Sequence, residues 1–228
     1  MYRYLLFDLD GTLTDPEEGI TKSVQHALRY FGIEVADLKK LRPFIGPPLI
    51  PAFMDFYGLS EKQAVKALEV YRERFGTVGI FENRVLEGIP ELLQTLHARG
   101  KCLVVASSKP EVYVRRILEH FDLLRYFDEV VGATMDEKLS AKPDIIALAL
   151  RKIREKHGWD GIKAEVVMIG DRMHDVEGAK ACGLDSLGLY TGFAEDGELE
   201  RAGATHICRS VKEMAQLLTR QAPQGPEE

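Results

Sequence analysis

Cysteine is scarce in this chain. Cys102, Cys182 and Cys208 are the three among 228 residues, widely spaced and forming no CxxC pair. That pattern argues against a disulfide framework and leaves buried reduced thiols as the expectation. Positive charge is not in excess either. Thirty Lys and Arg stand against 36 Asp and Glu, the formal net charge is −6, and no basic patch stands out. This predicts no nucleic-acid partner. No apolar run reaches eighteen residues and no signal peptide is readable, which predicts no membrane partner and a cytoplasmic location. Repeats and low-complexity tracts are absent. The final residues, Gln221 to Glu228, are polar with two prolines and read as a loose tail. The oligomeric state stays open between monomer and dimer.

What is present is an ordinary globular balance, 45% apolar and 29% charged, over a length that suits one core domain carrying an insertion. Apolar strand candidates are Tyr4–Leu9, Cys102–Ala106, Glu129–Val131, Val166–Ile169, Ser186–Leu189 and Thr205–Cys208. Helical patterns cover Ile89–Ala98, Glu111–His120, Asp144–Lys156, Asp175–Cys182, Asp196–Ala202 and Val211–Arg220. Strand–helix alternation predicts an α/β fold, a Rossmann-type parallel sheet with helices on both faces. Ligands in such sheets bind at the carboxyl ends of the strands.

Residues 16–84 break the alternation. They hold helical patterns over Thr21–Phe31, Ile50–Tyr57 and Glu61–Phe75, and no convincing strand. The reading is a helical cap domain over 16–84, inserted in a core domain of 1–15 and 85–228. The cap has ten basic and nine acidic residues, a slightly positive balance over an acidic remainder. Its segment Arg42–Pro51 contains four of the ten prolines, which rigidify a loop that either touches substrate or connects two helices. Lys22 and Arg42 are candidate cap cations for a substrate. His26 reads as packed within the cap, and Arg151 to Lys156 as a solvated helix face.

The chemistry begins at Asp8-Leu9-Asp10-Gly11-Thr12, directly after the apolar run Tyr4–Phe7. Two carboxylates at the exit of a buried strand carry a desolvation cost that a divalent cation relieves. A second strand ends in Ser107-Ser108-Lys109-Pro110. Proline favours the first helical position, so Ser107 and the N–H of Ser108 are expected near a helix N-terminus, a setting suited to phosphate. Ser140-Ala141-Lys142-Pro143 places a lysine before another expected helix start, where an anion between the two would make sense of it. A third strand runs into Gly170-Asp171, at the same edge of the sheet as Asp8. Asp175 follows four residues on, to turn back into the site or cap the next helix.

The set Asp8-x-Asp10-Gly11-Thr12, Ser107, Lys142 and Gly170-Asp171-x-x-x-Asp175 resembles the four motifs of the haloacid-dehalogenase superfamily of phosphohydrolases, in order and spacing, over essentially the whole chain. The insertion resembles that superfamily's helical cap. Phe7–Asp15, Gly19–Ser23, Phe44–Leu49 and Ile169–Arg172 are similar to the phosphoglycolate phosphatase and 5′-nucleotidase-like branch. Position 107 is serine where threonine is frequent, Ser108 replaces a frequent asparagine, and Ile145 replaces a frequent proline.

The resemblance implies a phosphatase that forms an aspartyl-phosphate on Asp8. It implies Mg²⁺ held by Asp8, Asp171 and the backbone carbonyl of Asp10, and Asp10 as general acid and base. Ser107, Ser108 and Lys142 would hold phosphoryl oxygens, and Asp175 would orient Lys142 or a water. The substrate is a small phosphorylated metabolite. A sugar-phosphate mutase and a non-catalytic phosphate-binding protein remain the alternatives.

Overall fold

The computed structural model describes residues 2–220. In chain order the strands and α-helices are β1 (Tyr4–Phe7), β2 (Thr14–Asp15), α1 (Glu17–Tyr30), α2 (Leu49–Tyr57), α3 (Glu61–Phe75), β3 (Arg84–Val85), α4 (Ile89–Ala98), β4 (Cys102–Pro110), α5 (Glu111–His120), β5 (Glu129–Ala133), α6 (Lys142–His157), β6 (Val166–Gly170), α7 (Met173–Cys182), β7 (Asp185–Leu189), α8 (Glu198–Ala202), β8 (His206–Cys208) and α9 (Val211–Thr219). No described helix is long and apolar enough to cross a membrane.

Six strands form one sheet in the order β5-β4-β1-β6-β7-β8, with every pairing parallel. All four residues of β1 are buried, as expected for a central strand of a sheet covered on both faces. The chain runs outward from β1 through β4 to β5, then crosses to β6 on the other side of β1. The strand order therefore reverses around β1, where ligands bind in folds of this kind. Phe7 is level with Val105 and with Ile169 in the register. Residues just beyond those three positions emerge together at the carboxyl edge of the sheet.

One face of the sheet is covered by α6. Its apolar stripe Ile145, Ile146, Ala149 and Ile153 packs with Leu6, Val104, Val131 and Met168, all fully enclosed. Each such aliphatic side chain contributes roughly 1.5–3 kcal/mol by leaving water. Successive strand residues alternate faces, so Phe7 serves the opposite side and meets Phe127 edge-on, with ring centroids 6.2 Å apart.

The described residues divide into two compact units, 2–13 with 85–220, and 14–84. The second unit holds α1, α2, α3 and two 3-10 segments, Leu38–Phe44 and Gly79–Phe81. Gly19 on α1 meets Gly79 backbone to backbone; a Cβ on Gly19 would stand 1.9 Å from the Gly79 carbonyl oxygen. Ser60 and Gln63 form a capping box at the start of α3, and α2 ends at Gly58 with φ 64°. Phe44 anchors the proline-rich segment against Phe53, Phe56 and Tyr57, at centroid distances of 5.0, 5.3 and 5.9 Å.

Several local expectations change. Strand β4 does not stop at Ala106 but continues to Pro110. The residue before a proline is pushed to extended geometry, and here that is Lys109. Pro110 consequently caps α5 instead of opening it. The two-residue strands β2 and β3 went unread because two residues carry no periodicity. His26 is exposed, and Cys102 and Cys182 are half-buried instead of enclosed. The face from Arg151 to Lys156 is solvated at Arg151, Arg154, Glu155 and Lys156, while Lys152 and Lys156 also reach the buried Glu129, at 3.7 and 2.6 Å. The tail Gln221–Glu228 lies outside the described residues.

Candidate active site

The exits of β1, β4 and β6 and the start of α6 bring the sequence-marked residues together. The Asp8 N–H donates to the Ile169 carbonyl (2.8 Å), which extends the β1–β6 ladder by one rung and fixes Asp8 at the edge. Carboxylate oxygens of Asp8, Asp171 and Asp175 lie within 4.8 Å of one another. Lys142 is the first residue of α6. Its Nζ stands 3.0 Å from Asp8 Oδ1 and 2.8 Å from Asp175 Oδ1, and donates to the Ala106 carbonyl at 3.1 Å. Asp175 does both things expected of it: the oxygen not facing Lys142 accepts from the Arg172 N–H at 3.1 Å, capping α7.

These groups are almost dry, with Lys142 6%, Asp171 1% and Asp175 2% exposed. Burial alone pulls the Lys142 ammonium down, but Asp175 and Asp8 outweigh it and hold it above the ordinary lysine value. Burial, then Asp175 and Asp8, push Asp171 well above the usual carboxylate range. Burial also raises Asp175 against the pull of Lys142.

Glycine makes this density of carboxylates sterically possible. A Cβ on Gly11 (φ 77°), or on Gly192, would stand 2.1 Å from Asp171 Oδ2, and one on Gly170 would stand 2.2 Å from Asp175 Oδ2. The Phe193 N–H donates to Asp171 Oδ2 at 2.7 Å. That loop is pinned by Glu198, which accepts from Arg172 Nε (2.9 Å), the Met173 N–H (2.8 Å) and the Glu195 N–H (3.0 Å). Burial opposes ionisation of Glu198, yet these donors together hold its carboxyl below the ordinary value.

Asp10 has a partner that sequence reasoning missed. Lys109 Nζ lies 2.6 Å from Asp10 Oδ2, with side chains 7% and 12% exposed. Asp10 Oδ1 is buried without a hydrogen-bond partner. Burial pushes Asp10 up, more than Lys109 pulls it down. Ser107 is buried and its Oγ accepts from the Lys109 N–H at 3.3 Å. It sits within β4 and not at the helix start, because the strand runs on; Ser108 is half-buried beside it. The signal for Lys109 was available, since strand residues two apart share a face and Lys109 follows Ser107 by two. The loop at Gly192–Phe193 carries no motif; only its place beyond the carboxyl end of β7 marks it.

Lys22 and Arg42 lie in the second unit, each already paired. Lys22 Nζ is 2.6 Å from Glu18 and 3.1 Å from Glu82, which Arg74 also grips at 2.8 Å. Arg42 Nε is 3.3 Å from Glu17.

The donor set at the strand ends fits a hard divalent cation. Asp8, Asp171 and Asp175 bring three negative charges against one from Lys142, and every donor is oxygen. Burial is the largest cause of the raised Asp171 carboxyl, Asp175 and Asp8 add to it, and a dication would relieve both.

Comparison with known proteins places the chain in a family. A family model of haloacid dehalogenase-like hydrolases matches residues 5–189. A 5′-nucleotidase from Pseudomonas aeruginosa is 46% identical over 218 residues, 95% of this chain and 96% of that protein. A protein named tyrosine-protein kinase PtkA from Mycobacterium tuberculosis is 36% identical, over 91% of this chain and 68% of its own. The crystal structure of a predicted phosphatase from Clostridium acetobutylicum superposes with a TM-score of 0.89 at 47% identity, covering 96% of this chain and 98% of that one. The chain belongs to the haloacid dehalogenase-like hydrolases. Within that family it is a phosphatase.

Proposed function

We propose that this phosphatase hydrolyses the phosphomonoester of a small metabolite, with nucleoside 5′-monophosphates as the first class to test, through a phosphoryl-Asp8 intermediate. The observation that carries the chemistry is the bridging of Asp8 and Asp175 by Lys142 beside Asp171. The 46% identity to a 5′-nucleotidase supports the substrate class.

Asp8 is the proposed nucleophile. Its carboxylate oxygen attacks phosphorus as the bond to the leaving oxygen breaks, and Asp10 gives that oxygen a proton. Asp10 then takes a proton from water, which attacks the phosphoryl-Asp8 and releases phosphate with Asp8 restored. Lys142 and Ser107 hold phosphoryl oxygens as charge shifts between them. Asp175 keeps the Lys142 ammonium aimed, and Lys109 keeps Asp10 aimed. Asp8, Asp171 and the Asp10 carbonyl would hold Mg²⁺, which when bound neutralises the carboxylates and the phosphate so that a dianion is admitted.

Substrate choice is assigned to the helical unit, proposed to act as a cap, with Lys22 and Arg42 as its contacts. Each would exchange a glutamate for the substrate.

The test is phosphate release with Mg²⁺ over nucleoside 5′-monophosphates, phosphoglycolate, pyrophosphate and small sugar phosphates. Preference for the nucleotides supports the substrate class; preference for phosphoglycolate moves it to the other branch. Transfer to a sugar phosphate without release would make the protein a mutase. The identity to PtkA sustains one more arm, label transfer from ATP to a tyrosine peptide.

A further inference from the structure

The amino-terminal edge of the sheet, opposite the strand exits just described, holds a second group of metal-ligating side chains. Cys102 opens β4, Asp128 immediately precedes β5, and His157 closes α6. One ligand atom from each lies within 4.8 Å of the other two. These residues are 26 and 29 positions apart in the chain, so only the fold unites them and no sequence pattern announces them.

We propose that Cys102, Asp128 and His157 form a binding site for a borderline-soft divalent cation, Zn²⁺ first, separate from the carboxylate site at the other edge. Sulfur, nitrogen and oxygen donors in one cluster match Zn²⁺ and exclude Mg²⁺, which takes oxygen. Three protein ligands leave a fourth position for water.

Two further features support the assignment. His157 Nε2 is buried without a hydrogen-bond partner, and it stands 3.9 Å from the buried Glu129 carboxylate. A buried carboxylate this near the ring also favours a cation held beside it. A dication would be neutralised by Asp128 and a Cys102 thiolate, while Lys152 and Lys156 face the neighbouring Glu129. The Asp128 carboxylate is held in place because its Oδ2 accepts from the Leu103 N–H at 2.8 Å. The cost is a proton: burial and Asp128 push the Cys102 thiol up to about 12, so binding must displace it.

The experiment is titration of the full chain with Co²⁺ and then Zn²⁺, in excess Mg²⁺ to fill the carboxylate site. The expected result is one equivalent of Co²⁺ with a thiolate-to-cobalt charge-transfer band that Zn²⁺ abolishes. Cys102→Ser and His157→Gln should each weaken Zn²⁺ binding by about tenfold or more, with phosphatase activity and the circular dichroism spectrum unchanged. If Cys102→Ser does not fold, alkylation of the unaltered protein decides: Zn²⁺ must shield Cys102 and leave the half-buried Cys182 as reactive as before. Absence of the band, its survival in Cys102→Ser, or shielding confined to another cysteine overturns the proposal.

Discussion

Lys109 Nζ lies 2.6 Å from Asp10 Oδ2, in surroundings that exclude most water from both side chains. The pair joins the end of β4 to the turn after β1 and leaves Asp10 Oδ1 buried without a hydrogen-bond partner. An ion pair this enclosed fixes geometry, and loss of one member leaves the other uncompensated.

Lys109→Met is therefore expected to lower kcat by about tenfold or more. Asp10 is already pushed up by burial, and Lys109 is the cation that opposes this. Removing it raises Asp10 further, so the limb of the pH–rate profile set by Asp10 should move to higher pH. A steady-state profile of the variant checks this; an unmoved limb would detach Lys109 from Asp10.

Asp10→Asn separates leaving groups. On alkyl phosphates, which need a proton on the departing oxygen, kcat should fall by about 10²–10⁴-fold. On p-nitrophenyl phosphate, whose leaving group departs unprotonated, formation of the intermediate should suffer far less. A pre-steady-state burst of p-nitrophenol followed by a slow steady rate is the expected trace. Near-normal turnover of an alkyl phosphate would remove Asp10 from proton transfer.

The carboxylate cluster makes a prediction about stability. Asp171 is held well above its ordinary value by burial and by Asp175 and Asp8, and Asp175 is also raised. A carboxyl raised in the folded state binds more protons there than in the unfolded chain, so stability falls as pH rises between the two values. In chelator, Tm should climb as pH drops from neutral toward the ordinary carboxylate value. Mg²⁺ should raise Tm at neutral pH and lose that effect on acidification, because protonated carboxyls no longer hold it. Thermal melts across pH with and without Mg²⁺ measure both.

The outline of this site was legible because strand periodicity and paired carboxylates are local signals. Asp8, Asp171 and Lys142 each end or begin a regular element, and the pattern of that element announces them. The rest depends on register and loops. Lys109 was hidden because the pre-proline extension of β4 was not foreseen, which also displaced the expected helix start from Ser107. Gly192, Phe193 and Glu198 matter through contacts across the sheet's edge, at distances in sequence that no window covers. Of the fold, Glu61–Phe75, Ile89–Ala98 and Glu111–His120 were readable to the residue, while the 3-10 segment Leu38–Phe44 was not. Asp37 caps it by accepting from the Lys39 N–H, and Phe44 ties it to aromatic neighbours.

Gly192 gives the loop a sharp test. Its backbone has no requirement for a left-handed conformation, so only space is at issue. A Cβ there would lie 2.1 Å from Asp171 Oδ2 and 2.6 Å from the Gly11 carbonyl oxygen. Gly192→Ala should displace Asp171, cost roughly 1–3 kcal/mol of stability, and raise the Mg²⁺ concentration needed for half-maximal activity. Metal titration of activity and a denaturation curve check the two parts.

The central claim is that Asp8 carries the phosphoryl group. Acid quench of the enzyme during turnover with Mg²⁺ and substrate, followed by peptide mass spectrometry, tests it directly. The account predicts one added phosphoryl group on the peptide containing Asp8, absent in the folded Asp8→Asn protein, whose turnover falls by about 10³-fold or more. Phosphate on any other residue, or an Asp8→Asn protein that still turns over at a comparable rate, would contradict it.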